Sequence, residues 1–160
     1  MLALATAAAG ALGCADAPAP GGDVTTFDAC APLAVVLDPS ATAPQRDGLQ
    51  RAVELWNQSA RTQLTTAPAS LGTPAVPVHF QSAAAPDHGL YDAQAAQIFL
   101  NDDLTGTALA VVMAHEIGHA MGLVHIDPGS RASVMNPGNL STTPTSADAA
   151  QLAALWGSCR

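Results

Sequence analysis

Apolar and polar positions recur along this chain with several different periods, and each period predicts an element. Leu33 to Leu37 form an unbroken apolar run stopped by Asp38-Pro39, the mark of a buried strand. Behind Pro44, the residues Leu49, Val53, Trp56 and Ala60 recur at i, i+4, i+7 and i+11, one stripe of a helix over 45–60. Residues 61–74 are polar and rich in turn formers, with room for one short strand near Leu64. Val76, Val78 and Phe80 then alternate with Pro77 and His79, a strand with one buried face, and Pro77 points to a sheet edge or a strand start. A loop over 82–93 holds a short strand at Gly89-Leu90-Tyr91, and Ala96, Ile98 and Leu100 alternate again up to Asn101-Asp102-Asp103. A helix over 104–121 follows, with Asp103 as its cap, and a last helix over 146–156 is capped by Thr145 or Ser146. Strands, a long helix, a loop-rich tail and a final helix make an α+β domain.

Composition changes this picture little. Of the 160 residues 49% are hydrophobic, but 35 are Ala, and the remainder suffices for one modest core. Five Arg, no Lys and 13 Asp or Glu give a formal charge of −8, which excludes a basic nucleic-acid module. Residues 1–13 (MLALATAAAGALG) are uncharged and apolar or small, and read as a secretory signal peptide. Ala11-Leu12-Gly13-Cys14 resembles a bacterial lipobox, which implies a lipid anchor on Cys14 as the only tie to a membrane. An ordinary export signal with a spare Cys is the plainer alternative. Residues 14–29, opening on ADAPAPGG after the cysteine, form a flexible tether, and the folded domain occupies 30–160. Cys30 and Cys159 remain as an even pair at the two ends of that domain. A bridge between them closes a loop of about 130 residues and stabilises by about 4–5 kcal/mol, with two free thiols as the alternative.

The chemistry is concentrated in eleven residues, His115-Glu116-Ile117-Gly118-His119-Ala120-Met121-Gly122-Leu123-Val124-His125. His115 and His119 lie four apart, so they differ by about 40° around a helix and share one face. Both imidazoles can bind one ion. Glu116 lies about 100° from His115 and can reach a water on that ion without being a ligand. Gly122 lets the backbone leave the helix, so that His125 can return as a third ligand. Three neutral imidazoles leave a coordination position open, as a catalytic Zn2+ requires. HExxH alone arises by chance in about two of a thousand chains of this composition, and the eleven-residue pattern in about five of a million. The apolar stripe of Leu104, Ala108 and Val111 runs directly into His115 and His119, so these imidazoles face inward and need partners.

This pattern resembles the metzincin clan of zinc peptidases, and Ser133-Val134-Met135-Asn136-Pro137 resembles the Met-turn of its matrixin branch. The segments AVELWN and QIFLND fall in the matching order upstream. The resemblance implies a zincin-like α+β fold, a twisted mixed sheet of about four to five strands with three helices, its active-site helix ending in a Gly turn. It also implies that Met135 forms an apolar floor beneath the metal and is no ligand. The chain departs from matrixins at Ile126, where they carry Ser, and at Gly138-Asn139-Leu140, where they carry a Pro-x-Tyr wall. No cysteine-switch segment is recognised.

By the same resemblance, His79 and His88 with Asp87 and Asp92 are candidates for a second zinc, and Asp102, Asp103 and Asp127 for Ca2+; exposed loop residues are the plainer reading. The expected function is a monomeric zinc endopeptidase, secreted or held on the bacterial surface or in the periplasm as a lipoprotein. Its substrates are peptides or proteins, and an extended substrate pairs with a sheet edge near residues 88 to 100. The alternatives are a non-catalytic zinc-binding or adhesion module, and a zinc hydrolase acting on cell-wall peptides.

Overall fold

The computed structural model describes residues 25–82 and 88–160. In chain order the elements are β1 (Leu33–Leu37), α1 (Ala43–Ala60), β2 (Leu64–Thr65), β3 (Ala75–Gln81), β4 (Gly89–Asp92), β5 (Gln97–Asn101), α2 (Gly106–Ala120) and α3 (Ser146–Trp156). The strands make one five-stranded mixed sheet in the order β2-β1-β3-β5-β4, in which only β4 runs antiparallel to its neighbour. This is the zincin-like α+β architecture, with five strands and three helices. Among the described residues no helix is long and apolar enough to cross a membrane.

The sheet lies otherwise than Pro77 suggested, for β3 is its central strand. Pro77 is tolerated because it pairs with Val36 on one side, while the β5 pairing on the other begins only at Val78. β5 starts at Gln97 because Ala96, with φ 54°, belongs to the turn from β4. α2 starts later than its apolar stripe suggests, with Thr105 at the N-cap in place of Asp103. The reason is a turn that finishes β5 first: Asn101 accepts the Asp103 N–H at its side chain (3.1 Å) and the Leu104 N–H at its carbonyl (3.2 Å). α1 is closed at its start by a reciprocal Thr42–Gln45 capping box and stopped by Arg61 at φ 56°.

α1 and α2 cover one face of the sheet and approach closely, since a Cβ on Gly48 would stand 2.8 Å from Leu109 Cδ2. Trp56 of α1, fully buried, donates its indole N–H to the Ala114 carbonyl of α2 (2.8 Å) and so fixes the two helices in register. Residues 25–29, expected within the tether, lie against the domain. The Thr25 N–H donates to Ala93 O, the Phe27 N–H to Ala120 O (both 2.9 Å), and Ala29 is buried. The expected signal peptide and Cys14 lie outside the described residues. Cys30 and Cys159 are joined in a disulfide across 129 residues of chain.

Candidate metal centre

The end of α2 sets the geometry of the centre. Gly122, at φ 91°, takes the left-handed turn that a side-chain-bearing residue resists. The Leu123 N–H then donates to Gly118 O and the Gly122 N–H to His119 O, both at 2.9 Å. These two bonds form a Schellman closure of the helix. The same turn points the Leu123 carbonyl back at α2, where it accepts the Nδ1–H of His119 (2.9 Å). His115 donates its Nδ1–H to the Val134 carbonyl (2.7 Å).

With Nδ1 carrying the proton on both rings, their Nε2 atoms bear lone pairs, and these face each other at 3.1 Å. His125 Nε2 stands 3.2 Å from each of them. Two bare acceptors at that distance cannot hydrogen-bond to each other, so the arrangement calls for a cation among them. The size fits, because two nitrogens about 2.0–2.1 Å from one tetrahedral zinc stand about 3.3–3.4 Å apart. Burial, with the neighbouring His119 and His125 adding to it, pushes His115 down to about 3. Burial, with His125 adding to it, pushes His119 down to about 4. Both rings are therefore neutral at pH 7, as metal ligands must be. The three form the one ligand cluster of three among the described residues.

Glu116 is 1% exposed and lies against Gly89 of β4. A buried carboxylate next in sequence to His115 suits proton transfer at the metal.

Met135 is fully buried beneath the ligand turn, with its Sδ 2.5 Å from where a Cβ on Gly118 would stand. Its neighbours form a network that the sequence reading missed. Ser133 Oγ accepts the Met135 N–H (2.9 Å), and Asn136 Oδ1 accepts the Ser133 N–H (2.8 Å). Asn136 Nδ2 donates to Ile126 O, while the Ile126 N–H donates to Met135 O, both at 2.9 Å, tying the His125 segment to this turn. Asp148 of α3 is fully buried and accepts from Arg131 (2.8 Å), Ser133 Oγ (2.5 Å), the Val134 N–H (3.1 Å), and the Thr145 N–H and hydroxyl (both 2.9 Å). Burial opposes its charge, yet the bonds from Ser133, Thr145 and Arg131 prevail and hold the carboxyl below its ordinary range. Asp148 thus grips the N–H side of the Val134–Met135 turn while the Val134 carbonyl orients His115. The run Ser133 to Asn136 was a readable signal, but Asp148 read only as part of a helix start.

The other candidates do not join this cluster. His79 stacks on Phe99 across the sheet, with ring centroids 5.3 Å apart. His88 offers its carbonyl to the Asn101 N–H (3.0 Å), and Asp92 Oδ1 accepts two turn N–H groups, of Gln94 (2.9 Å) and Ala95 (3.0 Å). Asp87 lies outside the described residues. Asp127 Oδ1 accepts the Gly129 N–H (2.8 Å), a turn role, and neither it nor Asp102 or Asp103 belongs to a three-residue ligand cluster among the described residues.

Comparison with known proteins bears on the same centre. No protein with a curated description matches the chain. Among solved structures the fold is similar to that in "Crystal structure of myroilysin", with a TM-score of 0.63 and 17% identity over 92% of each chain. A family model matches residues 13–155, which span every element described above but the last residue of α3, and the chain belongs to that family, described as "Putative metallopeptidase family (DUF6782)".

Proposed function

We propose that the chain is a zinc-dependent endopeptidase of metzincin type, with a matrixin-like Met-turn, in which His115, His119 and His125 hold the metal and Glu116 is the general base. The observation that carries this reading is the triangle of Nε2 atoms, 3.1–3.2 Å on each side, with Glu116 buried next to it in sequence. A zinc ion held there supplies Lewis-acid polarisation of the scissile carbonyl and acidifies the attacking water. Glu116 takes the proton from that water and returns it to the leaving amine. The Val134 and Leu123 carbonyls keep His115 and His119 in the tautomer that presents Nε2. Met135 excludes water from below. β4 is the terminal strand of the sheet and offers an edge on which an extended peptide adds as a further strand.

Export accompanies this reading, because a disulfide persists in an oxidising compartment. Intact-mass analysis of the protein purified from membranes tests the lipid on Cys14. The activity is tested by digesting a peptide library with the zinc-loaded protein, with and without chelator, and by Glu116→Ala. Cleavage that chelator abolishes, and a Glu116→Ala protein that keeps zinc but cleaves nothing, are the expected results. Cleavage indifferent to chelator or to that substitution overturns the proposal. Zinc binding without cleavage of library peptides or cell-wall crosslinks favours a non-catalytic module.

A further inference from the structure

Gly89 sits within β4 with no conformational reason to be glycine. Its φ is not positive, and its antiparallel pairing with Leu100 is regular. Glycine in a strand forgoes packing and carries extra chain entropy, so it marks a place where something else must come close. Here that something is the carboxylate of Glu116. A Cβ on Gly89 would stand 2.7 Å from Glu116 Oε1, 3.0 Å from Glu116 Cγ and 3.0 Å from Val112 Cγ1. The volume that any other residue would fill with its side chain is occupied by Glu116.

We propose that Gly89 is a positioning residue for Glu116: its missing side chain is the seat of the carboxylate. The role rests on the reading of Glu116 as general base. The far end of a Glu side chain can give way at modest cost to folding, whereas that far end must stay within hydrogen-bond reach of the attacking water. A displacement of about 1 Å is enough to lose about a hundredfold in rate. The substitution Gly89→Ala therefore separates folding from chemistry. A methyl group fits the strand backbone, and its nearest contacts are with Glu116 and Val112.

The test is a pair of double-mutant cycles on the zinc-loaded protein. Gly89→Ala is expected to lower kcat about ten- to hundredfold, with KM changed less than about threefold and zinc content unaltered. In a Glu116→Asp background, whose carboxylate is one methylene shorter, the same substitution is expected to lower kcat less than about threefold. An unchanged kcat, or the same factor in both backgrounds, overturns the proposal. The second cycle needs no activity. Gly89→Ala is expected to lower the Tm by about 3–6 °C in the parent and by less than half as much in a Glu116→Ala background, where the seat is empty. Equal losses of Tm overturn the contact itself. If the parent cleaves no peptide, the peptidase reading falls, and the Tm cycle alone decides whether Gly89 seats the carboxylate.

Discussion

The substitution Asp148→Asn keeps the shape of the side chain, removes its charge and turns one acceptor into a donor. Oδ2 of Asp148 accepts two backbone N–H groups, from Val134 and Thr145, and these cannot turn round. The variant's amide therefore keeps its oxygen toward them and aims its NH2 group at Arg131 and Ser133, the partners of Oδ1. The Ser133 hydroxyl can rotate to accept, but the guanidinium cannot. The loss is one charge-assisted bond, about 1.5–3 kcal/mol, and a donor left facing a donor, about 1–3 kcal/mol more. Arg131 keeps 28% of its side chain in solvent, which screens part of the loss and brings the expected cost to about 3 kcal/mol. For a domain of this size that lowers Tm by about 6–12 °C. The carboxyl of Asp148 lies below 3.8 in the fold, so its contribution is complete above the unfolded value of about 3.9 and is lost as pH falls through the folded one. The gap between parent and variant should thus be full at pH 7 and close below about pH 4. Thermal melts of both proteins with metal removed, from pH 7 downward, measure it. Chelator competition at pH 7 reads the second effect, a zinc affinity about tenfold weaker, because Asp148 holds the N–H of Val134, the residue whose carbonyl orients His115. A Tm within about 2 °C of the parent at pH 7, a gap undiminished at the lowest pH where both proteins still fold, or an unchanged zinc affinity refutes the reasoning.

Gly118→Ala drives a methyl group against Met135 Sδ, with Met135 Cε and Trp56 Cζ2 each 3.3 Å away; overpacking of about 1–3 kcal/mol should appear as a lower Tm, and an unchanged melt would place Met135 elsewhere. Reducing the Cys30–Cys159 disulfide frees a loop spanning 129 residues, so the unfolded state should gain about 4–5 kcal/mol of chain entropy, measured as a fall in the urea midpoint with a steeper slope, because the freed chain exposes more surface. Tyr91 is the single tyrosine, and burial, with Asp92 beside it, pushes its phenol up to about 12. An ultraviolet titration should show one transition near pH 12 in the fold and near 10 in urea, and the stability it contributes, complete below pH 10, is lost as pH rises toward 12; a folded transition near 10 contradicts the burial.

What could be read in the sequence is what repeats at short range. The stripe through α2, the i, i+4 histidines, the Gly at the helix end and the cysteine pair each depend on neighbours a few positions away or on simple pairing, and each has its place in the fold. What escaped depends on partners that only folding brings together. Asp148 looks locally like the N3 residue of a capped helix, and it does form that capping box with Thr145; the local role hides the distant one, fourteen positions back at Val134. Gly89 reads in sequence only as the first residue of a short strand, and its reason lies on α2. Pro77 argued for a sheet edge because the rule concerns a lost N–H, whereas the stagger of β1 and β5 along β3 decides whether that N–H would have had a partner. Asp103 lost the cap of α2 to Thr105 because the Asn101 turn claims its backbone first.

The last turn of α2 shows how the local and distant parts combine. A helix end leaves its final carbonyls without partners inside the helix. Here Gly118 O and His119 O are taken by the Schellman turn, Ala120 O by the Phe27 N–H, and Met121 O by the indole N–H of Trp156 (2.8 Å). Phe27 comes three residues before Cys30, and Trp156 three before Cys159. The disulfide therefore joins the two segments, from opposite ends of the domain, that hold the end of the histidine-bearing helix. That turn is fixed by four bonds that involve no metal, and the Val134 and Leu123 carbonyls hold His115 and His119, so these two imidazoles meet already oriented and the free energy of metal binding is spared the cost of ordering them.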